Sequence, residues 1–435
     1  MWRITVSQLA IYGGPQTITH DFGEIFDWPI ITNEDESAVL DILRTRNMSG
    51  IDVTIKFERE FARYHGVEYA LATNNGTAAV HSAMFACGIG IGDEVICQSS
   101  TFWASVLPVL NLGGTVVFAD IDKNTLTLDP IDVESKITRN TKAIIVVHYF
   151  GHPTDMDPIM DIAKKNGIKV IEDVSHAHGG FYKGRLLGTI GDVGAMSVMS
   201  EKGFAIGEGG VLITRDQKIY ERAIAFGHYE RTGGFGTRST SDLIQDKELQ
   251  RFSGTPLGGF KYRMHQMSSA IGRVQLKYYK QRMLEIQKAM NYFWDLLEDV
   301  PGVKSHRTSI NSGSTMGGWY MPHGIYCPEE IGDISLEKYC EVVRAEGVYT
   351  KPGMNELLHL KPIFNDADIY GHGIPTRIAN SNNDIRQMKG SLPICEFMSD
   401  RVFSIPWFKH YRPDVIEQYA SAFVKVSNLA AEIEQ

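Results

Sequence analysis

Only five cysteines occur in 435 residues, Cys87, Cys97, Cys327, Cys340 and Cys395. The number is odd and no two are spaced as a close pair, so neither a zinc site nor a dithiol redox motif is encoded, and the five read as reduced, mostly buried thiols. Long apolar runs are also missing: none approaches the ~20 residues needed to span a bilayer. The first residues, Met1 to Ser7, show no charged leader followed by an apolar stretch, so a soluble, cytoplasmic protein without a membrane partner is expected. A Lys/Arg-rich run is absent as well, and the net charge of −9 argues against a nucleic-acid partner, because phosphate binding calls for a basic face. Neither an internal repeat nor a low-complexity tract is present.

What is present is a chain long enough for a large domain and a smaller one around a cleft. From Tyr69 to Asp216 short apolar runs alternate with helical patterns, the signature of a parallel sheet covered by helices. The fold class expected is therefore α/β, a mostly parallel sheet flanked by helices, followed by a smaller C-terminal α+β domain. The division expected is 1–290 for the large domain and 291–435 for the small one. Strands are expected at Tyr69–Ala72, Glu94–Cys97, Thr115–Phe118, Ala143–Val147, Ile168–Ile171, Val193–Ser200 and Gly210–Thr214. Helices are expected at Thr77–Cys87, Asp155–Asn166, Met264 to about Asp299, Ser335–Gly347 and Pro413–Glu434. Two polar stretches, His228–Gly259 and Thr376–Gly390, interrupt this pattern; the first exceeds the ~12–15 residues of an ordinary connection, and both are candidates for selecting substrate.

Three places could carry chemistry. Asn74-Asn75-Gly76-Thr77-Ala78-Ala79 lies between a strand and a helix N-terminus, where unpaired N–H groups and the helix dipole favour an anion, although a plain helix cap would read the same. Glu172-Asp173 closes a buried strand at the sheet edge where ligands bind in open α/β folds. A carboxylate there needs a cation, and a protonated pyridine nitrogen would be one, an arginine another. Lys202 stands in the glycine-rich loop Glu201 to Gly210, where desolvation would lower its pKa and make it a nucleophile and proton carrier; Ser197 could add a hydroxyl to a phosphate. The order is restrictive: phosphate seat, aromatic segment, strand-end acid, hydroxyl, then lysine before glycines.

In these motifs the chain resembles the DegT/DnrJ/EryC1/StrS family of sugar aminotransferases, a branch of the fold-type I pyridoxal-phosphate enzymes. The resemblance runs from about Trp28 to Phe408 and is most specific in Asn75-Gly76-Thr77-Ala78-Ala79, Gly92-Asp93-Glu94-Val95-Ile96, Ile171-Glu172-Asp173, His178-Gly179, Ser197 with Lys202, and Gly207-Glu208-Gly209-Gly210. It implies pyridoxal 5'-phosphate as cofactor, held as an aldimine by Lys202, with Asp173 on the pyridine nitrogen and Gly76, Thr77 and Ser197 on the phosphate. Phe102 aligns with the aromatic that stacks on the cofactor ring, Trp103 being the alternative one residue on. His176 falls near the phenolic oxygen. Lys261 stands where many members have an asparagine that reaches the partner subunit's phosphate, and a homodimer is implied with it. The reaction implied moves an amino group from glutamate or glutamine to a keto-sugar or keto-cyclitol. Keto-sugar dehydratases of the family carry His in place of the lysine, and Lys202 argues against that activity. The retained set of Lys202, Asp173, Ser197 and Thr77 likewise argues against a regulatory protein that merely keeps the fold.

Overall fold

The computed structural model describes residues 8–232 and 244–434. Nine strands precede the C-terminal part: β1 (Tyr69–Thr73), β2 (Glu94–Gln98), β3 (Thr115–Ala119), β4 (Thr141–Val147), β5 (Lys169–Asp173), β6 (Phe181–Tyr182), β7 (Arg185–Leu186), β8 (Val193–Ser197) and β9 (Gly210–Thr214). Seven of them form one sheet in the order β1-β9-β8-β5-β4-β2-β3. β2, β3, β4, β5 and β8 pair in parallel, and β9 runs antiparallel to both of its neighbours, so the sheet is mostly parallel as expected. All five residues of β2 and of β9 are buried, because helices cover both faces; this is why these strands read as apolar runs without alternation. β6 and β7 form a separate two-stranded hairpin.

The strand to helix unit that places the anion seat is β1 followed by Gly76–Ala86. This helix is apolar nearly all round, with Ala78, Ala79, Val80, Ala83 and Met84 buried, so it is sunk into the protein rather than laid on its surface. The side chain of Asn75 caps it, accepting from the Ala78 N–H at 2.8 Å. A 31-residue helix, Gln266–Leu296, leads to the C-terminal part, where β10 (Val303–Ser305), β11 (His323–Tyr326) and β12 (Val402–Ser404) form an antiparallel sheet packed with helices Leu336–Ala345 and Pro413–Asn428. All five cysteines are buried free thiols. Among the described residues no helix is long and apolar enough to cross a membrane.

Both polar stretches prove to be partly structural. At the start of the first, Arg231 is buried and forms a bidentate ion pair with Glu58 at 2.7 and 2.9 Å, and Glu58 also accepts from the Ala72 N–H at 2.7 Å. Breaking a buried pair of this kind costs about 3–5 kcal/mol. The stretch also holds a short helix, Lys247–Gln250, while residues 233–243, within the stretch expected to select substrate, lie outside the described residues. In the second stretch the buried Arg377 donates to the Val116 carbonyl at 2.9 and 2.6 Å and to that of Phe364 at 3.3 Å. Gln387 accepts from the Phe118 N–H at 2.9 Å and donates to the Phe118 carbonyl at 2.7 Å, imitating a strand partner. Together they close the free edge of β3, a row of unpaired backbone groups that would otherwise template pairing with another chain.

Candidate active site

The C-terminal ends of the strands open onto a cavity of about 280 Å³ bordered by Gly76, Thr77, Phe102, Ser105, Asp173, Ser175, His176, Ser197 and Lys202, with Tyr320, Met321 and Asn355 supplied by the C-terminal part. It draws together seven of the eight sequence-derived candidates in one place, all except Lys261.

At the anion end, the amides of Ala78 and Ala79 are already bonded to Asn75, whereas those of Gly76 and Thr77 have no acceptor among the described residues. Two backbone donors at a helix N-terminus therefore face the cavity. Gly76 is required by packing: a Cβ there would lie 2.5 Å from the Ser197 Cβ and 2.7 Å from its Cα. The glycine lets the helix start directly against the end of β8, which puts the Ser197 side chain beside the two amides.

The two acids at the end of β5 separate because successive residues of a strand point to opposite faces. Glu172 turns inward and accepts from His148 Nε2 at 3.0 Å and from the amides of Gly188, Ile190 and Gly191 at 2.9, 2.7 and 2.7 Å, so its carboxylate is fully used by the fold. Asp173 turns to the cavity. Its Oδ2 accepts from the Ser105 hydroxyl at 2.7 Å and its Oδ1 from the Ser175 N–H at 3.0 Å, which fixes the carboxylate while leaving lone pairs toward the cavity.

Lys202 lies beyond β8 in a tight return: its N–H donates to the Met199 carbonyl at 2.9 Å, and Val198 and Ser200 bond back to Gly209 and Gly207. Trp28 Nε1 donates to the Lys202 carbonyl at 2.7 Å, so the N-terminal segment holds the loop from outside. The side chain is 7% exposed. Burial pulls its ammonium down to about 8, against the opposing pull of Asp173 and Glu201. An amine of this kind is about one tenth uncharged at pH 7, far more than an ordinary lysine, and that fraction can act as a nucleophile.

His176 is buried, with Nδ1 3.4 Å from the Phe150 N–H, which assigns the ring proton to Nε2. Burial, reinforced by Lys202, holds it well below the usual histidine range, so it is a neutral donor. Phe102 borders the cavity; Trp103, packed on Phe102 at 4.9 Å between ring centroids, does not. Lys261 is exposed and outside the cavity of this single chain, in a segment whose neighbours Tyr262 and Arg263 run beside the end of β1.

Sequence reasoning missed Ser105 and Ser175 as partners of Asp173, although Ser105 closes the Thr101–Ser105 segment and Ser175 stands two residues after the acid, the offset of an aspartate turn. It also missed Tyr320, Tyr149 and Asn355. The Tyr149 hydroxyl donates to Asn355 Oδ1 at 2.7 Å, a contact spanning 206 residues that no local pattern announces.

A buried amine with its pKa drawn down to about 8, beside a fixed carboxylate and within one small cavity of a helix N-terminus, is the arrangement of an aminotransferase, and the sheet beneath it is that of the fold-type I class. The chain belongs to the DegT/DnrJ/EryC1/StrS aminotransferase family, whose model matches residues 29–422. It is 31% identical over 379 residues to the GDP-perosamine synthase of Escherichia coli O157:H7, covering 86% of this chain and 98% of that protein. Among solved structures it is similar to an aminotransferase from Psychrobacter cryohalolentis, with a TM-score of 0.78 and 27% identity over 94% of this chain and 99% of the other. It is also similar to DesI determined with its TDP-sugar product, with a TM-score of 0.72 and 26% identity over 98% and 99% of the two chains.

Proposed function

We propose that this protein is a pyridoxal-phosphate-dependent aminotransferase that takes an amino group from glutamate or glutamine and delivers it to a keto-sugar or keto-cyclitol. The observation that carries the reading is the buried, pKa-lowered amine of Lys202 in the same cavity as Asp173. The residues fit the cofactor: two unspent amides and the Ser197 hydroxyl for a phosphate, and a carboxylate for a protonated ring nitrogen. When bound, pyridoxal phosphate supplies a carbonyl that a lysine amine can capture and a ring that draws electrons from the substrate's α-carbon.

The chain's own groups then have distinct tasks. The Gly76 and Thr77 amides, with Ser197 Oγ, hold the phosphate as charge-assisted donors. Asp173 keeps the ring nitrogen protonated, His176 offers Nε2–H to the phenolic oxygen, and Phe102 walls the ring. Lys202 Nζ holds the cofactor and moves the proton at the substrate α-carbon. Relatives whose names and titles refer to nucleotide-linked sugars support the sugar branch of the acceptor, and Lys202, where family dehydratases carry His, supports transamination.

The same proposal includes a homodimer in which Lys261 reaches the partner's cofactor phosphate, a division at about residue 290, and a cytoplasmic location. The test is a half-reaction screen in which cofactor-loaded protein is mixed with candidate amino acids and the visible absorbance followed. Glutamate or glutamine should bleach the wild-type band, and Lys202→Ala should not respond; a wild-type protein that bleaches with no amino donor would refute the reading.

A further inference from the structure

Tyr320 comes from the C-terminal part yet lies directly against the lysine: Lys202 Nζ sits 3.4 Å from the centroid of its ring. The ring is held on its other sides by His176, at 4.7 Å between centroids, and by Trp407, edge-on at 5.6 Å. Its backbone is strained on both sides. Trp319 and Met321 have φ of 51° and 49°, left-handed values that bulky side chains disfavour at a cost that surrounding structure must offset.

The bonds that impose this conformation come from several elements, two of them from the loop that follows Asp173. The Tyr320 N–H donates to the His176 carbonyl at 3.3 Å and the Gly318 N–H to that of His178 at 2.8 Å. Trp319 Nε1 and the Met316 N–H both donate to Gln287 Oε1, at 2.8 and 3.1 Å, Trp407 Nε1 donates to the Gly318 carbonyl at 2.9 Å, and His323 Nδ1 bonds the Met321 carbonyl at 2.6 Å. The segment is thus tied to the loop that follows Asp173 and aims one ring at one amine.

We propose that Tyr320 is a positioning residue for Lys202, its ring face being the seat that holds the lysine ammonium in place within the cavity. This rests on the reading of Lys202 as the lysine of the reaction. The negative face of an aromatic ring attracts a cation and favours the protonated amine, so the ring opposes the burial that drives the proton off. The other groups facing the pair are Asp173 and Glu201, which also favour the ammonium, Glu208 on the cavity wall, and His176 and His178, both held neutral by burial. Beyond Trp407 lies Lys409, whose side-chain nitrogen rests against the Trp407 ring and which burial pulls down to about 5, so that it is an uncharged amine near neutrality. Of these groups His176 also touches the Tyr320 ring, and Tyr320→Phe, which keeps that contact, is the control for it.

The experiment uses the cofactor-free protein, so it reads the lysine itself and stands apart from whether transamination occurs. The rate at which an amine-selective acylating reagent labels Lys202 is followed against pH by mass spectrometry of its peptide in wild type, Tyr320→Phe and Tyr320→Leu. The Phe variant keeps the ring face and should titrate as wild type does. The Leu variant keeps an apolar wall but loses the ring face, and the Lys202 midpoint should fall by about 0.4–1.5 pH units. A midpoint in the Leu variant that is unchanged or raised overturns the proposal, as does a Phe variant that shifts as far as Leu. Should Tyr320→Leu not fold, as judged by circular dichroism, Tyr320→Met gives the same comparison with the same expected fall.

Discussion

Gly76→Ala sets two effects of opposite sign against each other. Helix propensity alone would stabilise the variant, by at most about 1 kcal/mol and less at a first-turn position. Packing opposes it. The added Cβ would meet Ser197 Cβ at 2.5 Å, its Cα at 2.7 Å and its N at 2.9 Å, where carbon contacts normally lie at ~3.5–4.0 Å. Ser197 cannot yield, because β8 is paired on one side with β5 and on the other with β9, Ser197 itself opposite Gly210. The helix N-terminus must therefore withdraw by about 1 Å, at an overpacking cost of about 1–3 kcal/mol, so packing wins. The withdrawal moves the Gly76 and Thr77 amides away from Ser197. Losing one charge-assisted bond of about 1.5–3 kcal/mol corresponds to about 10–150-fold weaker retention of a phosphate-bearing cofactor. Titrating cofactor-free protein with pyridoxal phosphate and following the absorbance gives the affinity, and a thermal melt gives the stability. Unchanged affinity in Gly76→Ala, with the variant as stable as wild type, would refute the close-packing argument.

Asp173→Asn should fold normally, since Asn keeps the acceptor for the Ser175 N–H and the Ser105 hydroxyl can turn to accept from the new amide, but single-turnover deamination of the donor should slow severely; an unchanged rate would make Asp173 structural. Lys261→Ala should weaken cofactor retention, and mixing it with inactive Lys202→Ala should restore some activity through heterodimers containing one intact composite site. A fully active Lys261→Ala protein with normal cofactor affinity rejects that role. Arg377→Met should leave the Val116 and Phe364 carbonyls without their donor, at about 1–3 kcal/mol each, and lower the thermal midpoint with little effect on the donor half-reaction; a midpoint equal to wild type would mean that the edge of β3 needs no clip.

The parallel core was legible because its strands are buried on both faces and its helices end at glycines, as at Gly167, which takes φ of 67° beyond helix Met156–Asn166. The chemistry was legible where motif and topology coincide, at strand-to-helix and strand-to-loop junctions such as Gly76, Asp173 and Lys202. Residues that reach the cavity from far along the chain were not. Tyr320 and Asn355 are placed by contacts with His176 and Tyr149 that carry no local periodicity. Nor does polarity reveal burial: Thr376–Gly390 reads as a solvent-facing insertion, yet Arg377 is 1% exposed because four hydrogen bonds and the Phe118 ring receive its guanidinium.

The clip on β3 also has a consequence for how the chain is made. Arg377 closes an edge that lies 261 residues earlier in the sequence. At ~5–20 residues per second, a ribosome needs about 13–50 s to travel that distance. Throughout that interval the nascent β3 presents the Val116 carbonyl and both backbone groups of Phe118 with no partner from its own chain. Neighbouring polysomal copies expose the same strand at the same time. All seven strands of the sheet have been made by Thr214, well before Arg377, so a chaperone that shields that edge during the interval should raise the yield of native protein.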